Sequence, residues 1–334
     1  MATALTVISS TDKNRSLAEV KEERKALLYS LFEKTAPDLL IVELYPFGRN
    51  RFGFEILPLL QAIHRGDFPF TRVVCSLRDI LVEKENQEAY EQRVLSLLNQ
   101  YFDALLVHAD ETVVSLGETF DSTASIKIPV VYTGFVTPRP SDDGGEKVRI
   151  RLGLEKEEKL IVASAGGGRV GEDLLTAAVE AHASLADKRN VRLCVFTGPY
   201  MTEAAFLNLA DRAASLPGIE LTRFTPEFLS YLAAADISIS LGGYNTCMNI
   251  LAAGVPALVF PFAQNREQRI RGEKLAALGG LTLLDEEDLE PSRLASLMDN
   301  MLKKGKRPVA GLVNLNGAEE SARWIENWFR GTSS

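Results

Sequence analysis

Short apolar runs rich in β-branched residues, each followed by a longer amphipathic stretch, recur along the whole of this 334-residue chain. A continuously apolar run of that length reads as a strand buried on both faces, and a helix between successive strands makes them parallel. In the first part the runs are Asp38–Glu43, Arg72–Ser76, Ala104–His108 and Pro129–Tyr132, with helical periodicity over Phe54–His64 and Lys84–Tyr101. In the second they are Lys159–Ser164, Val191–Phe196, Gly218–Leu221, Asp236–Ser240, Ala257–Phe260 and Leu281–Leu284. Helical patterns there cover Asp173–Leu185, Thr202–Leu216, Glu227–Ala234, Asn245–Ala253, Arg266–Leu278, Pro291–Leu302 and Gly317–Phe329. The last carries Trp324 and Trp328 one turn apart, which reads as packing. The fold class is therefore α/β.

Between the two series, Pro138, Pro140 and the run Ser141-Asp142-Asp143-Gly144-Gly145 form a polar, turn-rich break. The expected division is residues 1–140 and 141–334, each Rossmann-like, which matches the usual domain size of roughly 100–200 residues. The first 37 residues fit this scheme least. Thr3–Ser10 reads as a weak strand and Ser16–Lys34 as a charged helix capped by Ser16. Neither is the opening strand and glycine turn of a nucleotide-binding domain, so the N-terminal domain is expected to lack its first βα units.

Composition narrows the partners. Hydrophobic residues make up 46% and charged residues 25%, enough to build ordinary buried cores. A net charge of −8 argues against a nucleic-acid partner. Cys75, Cys194 and Cys247 form no CxxC pair and read as buried thiols in a reducing compartment. His64, His108 and His182 lack metal-ligand spacing, so no metal or cofactor is expected. No apolar run reaches the roughly 18–20 residues of a membrane span, and the N-terminus lacks the order of a signal peptide. A cytoplasmic location is expected, with peripheral membrane contact left open.

Three motifs carry chemistry. Ser164-Ala165-Gly166-Gly167-Gly168-Arg169 follows a strand and precedes a helix. Glycines let the backbone approach an anion, a helix amino end supplies free N–H groups, and Arg169 adds charge. It is not a Walker loop, since no Gly-Lys-Ser/Thr follows. Ser240-Leu241-Gly242-Gly243-Tyr244-Asn245-Thr246 repeats the arrangement after a later strand, with Asn249 nearly one turn beyond Thr246. Two such turns can converge on one diphosphate at the carboxyl edge of a parallel sheet. In Phe260-Pro261-Phe262-Ala263-Gln264-Asn265-Arg266-Glu267-Gln268, the amides of Gln264, Asn265 and Gln268 suit sugar hydroxyls, which both donate and accept. Each motif also has a plain structural reading, as a tight packing turn or a solvated helix start.

The string GGYNT…ILAAGVPALVFPF…NREQ resembles the C-terminal domain of glycosyltransferase family 28, over roughly Lys159–Leu284. That family includes the enzyme adding N-acetylglucosamine to peptidoglycan lipid I. The strings DLLIVELYPFGRNRFGFEILPLL, VVCSLRDILVEK and ALLVHAD resemble a bacterial subgroup of predicted glycosyltransferases. The resemblance implies the two-Rossmann-domain GT-B architecture, with the donor held by the C-terminal half. It places Gly166–Gly168 near the donor diphosphate, the backbone of Thr225 against the uracil, and Gly243–Thr246 at the phosphates. Asn249 falls where the family commonly has a glutamate gripping the ribose hydroxyls, and Gln268 where a glutamine contacts the donor sugar. The family's opening glycine-rich turn, with its histidine, has no counterpart here.

Strand ends of the first domain supply the remaining candidates: Glu43, Asp79 and His108 as catalytic groups, Arg49 and Arg78 (with Arg51) for an anionic acceptor. An inverting transfer needs a base for the acceptor hydroxyl, which His108 or Asp79 can provide. Asp79 reads equally well as a helix cap, His108 as a loop hydrogen-bonding group, and Glu43 as the partner of an arginine. The function expected is transfer of a hexose-type sugar from a nucleotide-diphosphate sugar, UDP-linked by resemblance, to an unknown acceptor. A nucleotide-sugar hydrolase and a non-catalytic nucleotide-sugar-binding subunit compete with it. Association with a second copy or a partner subunit would suit a short first domain.

Overall fold

The computed structural model describes residues 15–81, 84–262, 266–305 and 311–331. They divide into two compact units. The first takes the chain up to His108 plus Leu116–Tyr132, the second Ala109–Ser115 plus the chain from Thr133 onward.

The first unit opens with α1 (Leu17–Thr35). Ser16 starts it through a capping box: its hydroxyl accepts the Glu19 N–H at 3.2 Å while the Glu19 carboxylate accepts the Ser16 N–H at 2.8 Å. Next come β1 (Leu39–Glu43), α2 (Gly53–Arg65), β2 (Arg72–Arg78), α3 (Gln87–Tyr101), β3 (Ala104–His108) and β4 (Val130–Tyr132). The four strands lie in the order β1-β2-β3-β4, all parallel. α1 packs on α2 through Arg24, which grips the buried Glu55 carboxylate with both Nε (2.9 Å) and Nη2 (2.6 Å). The rings of Phe47, Phe120 and Tyr90 meet edge to face in the core.

The second unit contains α4 (Gly144–Arg151), β5 (Lys159–Ser164), α5 (Glu172–Ala186), β6 (Val191–Phe196), α6 (Glu203–Ala214), β7 (Ile219–Thr222), α7 (Phe228–Ala234), β8 (Ile237–Leu241), α8 (Tyr244–Ala253), β9 (Ala257–Phe260), α9 (Arg266–Ala277), β10 (Thr282–Leu283), α10 (Pro291–Lys304) and α11 (Gly317–Phe329). Its strand order is β10-β9-β8-β5-β6-β7, again all parallel. The winding therefore reverses between β5 and β8. Right-handed crossovers running in opposite directions from that point send their helices to opposite faces. Accordingly α5 packs with α6 and α10, and α8 packs with α7, which in turn meets α4. Burial on both faces explains the apolar run of β5, whereas β8, equally buried, alternates Ile and Ser.

The chain reaches β5 through a segment pinned by distant residues of the same unit. Phe135 is fully buried, donating its N–H to the Asn314 carbonyl (2.7 Å) and accepting from Gly317 N–H (3.0 Å). Val136 N–H donates to the Tyr244 hydroxyl (3.1 Å), and the Thr137 hydroxyl to Asn249 Oδ1 (3.1 Å).

The central position of β8 makes its core side chains sensitive. Ile239, with no exposed surface, should lose about 2–5 kcal/mol of unfolding free energy on replacement by alanine. Urea unfolding of Ile239→Ala checks this, and a loss under about 1 kcal/mol would contradict such packing.

Candidate functional site

The carboxyl ends of β5 and β8 are neighbours because Ser164 pairs with Ser240 in register. Both glycine turns leave the sheet from that crevice, the place where open α/β sheets hold ligands. The two turns approach each other: a Cβ built on Gly166 would lie 3.9 Å from Thr246 Oγ1.

The first turn is braced from below. The Ser164 hydroxyl accepts the Gly166 N–H (3.1 Å), and the Gly167 carbonyl accepts the Tyr200 N–H (3.0 Å). Gly168, at φ +83°, presses on the Thr197 carbonyl, and Gly198, at φ +86°, presses back on Gly166 and Gly167. Any side chain at either position would push the two loops apart. Gly166, Gly167 and Arg169 remain exposed. The Arg169 guanidinium lies over the Tyr200 ring, 5.1 Å from its centroid.

The two helices that follow are not equivalent. α5 starts at Glu172, after Arg169, Val170 and Gly171, and its first turn already carries the carboxylates of Glu172 and Asp173. Those charges answer its dipole locally. α8 starts directly after its cap residue Gly243, has no acidic residue in its first turn and no side-chain cap. The two turns lie close together, and of the two helix amino ends only that of α8 lacks acidic side chains in its first turn. A Cβ on Gly243 would meet nothing within 4 Å, so the turn faces open space.

Around α8 the predicted residues spread as follows. Asn245 is exposed and Thr246 half-buried. Tyr244 contacts the Phe135 ring and, through its hydroxyl, Val136. Asn249 Oδ1 is engaged by Thr137, so one of its polar atoms already serves the preceding segment. Gln268 lies on α9 beside Gly242, its Oε1 accepting the Phe262 N–H at 3.1 Å. Thr225 sits in the turn after β7, three strand positions from β8, its hydroxyl accepting the Glu227 N–H (3.1 Å). Gln264 and Asn265 lie outside the described residues.

Two residues near this edge escaped the sequence reading. Tyr200 is 63% exposed although it is aromatic, with its ring against the glycine turn. Arg271, on α9 one turn after Gln268, is only 3% exposed and donates to the Gly242 carbonyl at 3.1 Å. No local spacing in the sequence signals that approach.

The first unit gathers a separate cluster at its own carboxyl edge, where Glu43 pairs with Ser76 and Arg78 with His108 across the strands. The Glu43 carboxylate bridges Arg49 (2.7 Å) and Arg78 (2.9 Å). Arg49 is held there by a left-handed backbone, φ 53°. These exposed pairs add little stability. Asp79 is buried and accepts the Ile80 N–H at 2.7 Å, a position that holds backbone. His108 Nε2 lies 2.8 Å from the Ser76 hydroxyl, a partner the sequence did not suggest. Burial lowers the imidazole from its ordinary 6.5 to about 4, against the nearby Glu43 carboxylate, which raises it.

Among the described residues no group of three or more metal-ligating side chains occurs, and no helix is long and apolar enough to cross a membrane. Residues 162–322, the core of this second unit, match the model of the glycosyltransferase family 28 C-terminal domain. The match covers 161 of the 334 residues, so it is this segment that is similar to family 28. An uncharacterized glycosyltransferase of Methanopyrus kandleri is 23% identical over 240 residues, covering 70% of this chain and 65% of that protein. The UDP-N-acetylglucosamine–N-acetylmuramyl-(pentapeptide) pyrophosphoryl-undecaprenol N-acetylglucosamine transferase of Caldicellulosiruptor saccharolyticus is 28% identical over 253 residues, covering 75% of this chain and 62% of that enzyme. The matches thus span less than two thirds of either relative. The crystal structure of Acinetobacter baumannii MurG superposes with a TM-score of 0.56 at 15% identity, over 95% of this chain and 83% of that one. The fold is of the GT-B type, with two Rossmann-like units.

The depressed pKa of His108 sets a pH dependence. Above about pH 6.5 the imidazole is neutral in folded and unfolded chains alike. Between 6.5 and about 4 only the unfolded chain takes up the proton, so this residue costs stability as pH falls through that window. His108→Gln should flatten the fall of the urea midpoint across it. His182, also lowered by burial, leaves a residual slope. Identical slopes for variant and wild type would show that His108 is not held neutral.

Proposed function

We propose that this chain is a glycosyltransferase that takes a hexose-type sugar from a nucleoside-diphosphate donor, UDP-linked in the first instance. The observation that carries the reading is the uncharged, uncapped amino end of α8, opening from Gly243 beside the exposed Gly166–Gly167 turn. A diphosphate placed there meets the backbone N–H groups of a helix start and a positive dipole end, with Arg169, over the Tyr200 ring, adding positive charge at the neighbouring glycine turn. Leaving-group charge developing during transfer is stabilised by the same groups, the term that dominates in catalysis of this kind. Tyr244, Asn245, Thr246 and Asn249 line this helix, and Gln268 serves the sugar. Thr225 takes the nucleobase side.

In the first unit, Arg49 and Arg78 bind an acceptor that carries negative charge, exchanging part of their hold on Glu43. His108 is the base: burial keeps it neutral, the form that accepts a proton, although a pKa of about 4 makes it weak until a bound anion raises it. Asp79, tied to the backbone, is the poorer choice.

Donor binding is tested by thermal shift across nucleoside diphosphates and their sugars. A true donor nucleotide at 100 times its dissociation constant should stabilise the fold by about 2.7 kcal/mol. A Cβ at Gly243 meets no neighbour, so Gly243→Trp starts its side chain into open space at the turn and should melt normally without ligand and lose the shift. Arg169→Ala should reduce it. A folded Gly243→Trp protein that keeps the full shift would place the nucleotide elsewhere.

A further inference from the structure

We propose that Arg271 is a positioning residue for the donor diphosphate, acting by locking the orientation of the Gly242–Gly243 peptide. The proposal rests on reading the Gly242–Thr246 turn as the diphosphate site.

A peptide between two glycines is the easiest kind to rotate, because neither flanking residue has a Cβ to restrict it. The two orientations are not equivalent for an anion. In a planar trans peptide the carbonyl and the N–H point in opposite directions, and the Gly242–Gly243 bond is trans. In the structure the Gly242 oxygen is turned toward α9, where the Arg271 guanidinium donates to it at 3.1 Å. The Gly243 N–H must then point away from α9, at the residue that caps the start of α8. Rotation of this one peptide would swap that donor for a carbonyl oxygen and repel a phosphate.

Three features fix Arg271 in this role. Its side chain is 3% exposed, although arginine is rarely so buried and keeps its charge there. Its guanidinium lies over the Tyr244 ring, 5.6 Å from the centroid, so it spans the turn from the Gly242 carbonyl to the first residue of α8. Gln268, one turn earlier on α9, braces the neighbouring loop by accepting the Phe262 N–H. α9 therefore clamps the loops that follow both β8 and β9, and Arg271 is the part of the clamp that decides which pole of a peptide faces the ligand. Its fixed positive charge beneath the turn adds in the same direction.

A residue that merely held the fold together would affect every ligand of the site alike. One that orients a phosphate-facing N–H affects the phosphates and spares the nucleoside. Affinities of the full chain for UDP and for uridine, followed by ligand-observed NMR, separate the two. Arg271→Met should weaken UDP by about tenfold, the loss of one charge-facing hydrogen bond, with uridine unchanged. Arg271→Lys keeps the charge and one donor but not the flat face, and should fall between. Should the methionine variant fail to fold, Tyr244→Leu removes the stacking surface from a half-buried position and should weaken UDP by about threefold, again sparing uridine. Equal losses for both ligands, or none, overturn the assignment of Arg271 while leaving the donor site standing. Wild-type protein that binds UDP no better than uridine overturns the donor-site reading itself, and this proposal with it.

Discussion

The parallel pairing of β5 with β8 is the constraint on which the second unit depends. These strands are separated in sequence by two complete strand–helix units, yet their ends are matched residue for residue, with Ser164 opposite Ser240. Backbone hydrogen bonding thus delivers two loops to one crevice with no freedom in their relative height. A slip of two residues along β8 would keep its apolar faces correct and still separate Gly166 from Thr246. Ser164, Ser238 and Ser240 sit in this otherwise apolar layer with their hydroxyls satisfied, Ser164 by the turn itself and the other two by each other at 3.1 Å. Polarity just under the site is therefore accommodated, and it contributes to the shape of the first turn.

Electrostatics then sorts the two helix ends. The carboxylates of Glu172 and Asp173 occupy the amino end of α5, and α8 carries none. Chains with an overall charge of −8 must still attract an anionic ligand at short range. Local backbone dipoles and a few arginines achieve that where net charge would oppose it. The first unit uses the reverse device. Its arginines are held by Glu43 at the sheet edge, a pairing that stores positive charge without leaving it unanswered.

Most of the architecture was legible because it follows from local pattern. Among the described residues, every strand named from an apolar run is present within a residue or two (Thr3–Ser10 lies outside them), and Ser16 caps α1 through the side chain the sequence offered. The glycine turns were legible for the same reason, since their residues sit next to one another. What the sequence hid depends on tertiary approach. Nothing local says that Arg271 folds inward toward a carbonyl 29 positions earlier, or that Ser76 reaches His108 on the adjacent strand. The acidic start of α5 was visible as letters, but its meaning required knowing that the glycine run ends three residues before the helix begins. Asp79 is a further case: its position at a strand end was visible, but its burial was not.

The segment around Phe135 has a consequence for how the chain is assembled. Its partners, Tyr244, Asn249, Asn314 and Gly317, all come more than 100 positions later. During synthesis the first unit can acquire its core from nearby strands and helices, whereas this stretch must wait until α8 has formed and the chain has passed Gly317. The piece joining one folded body to the next is thus the last to set. A ribosome pausing over the final helix would hold a finished first unit on an unfastened tether.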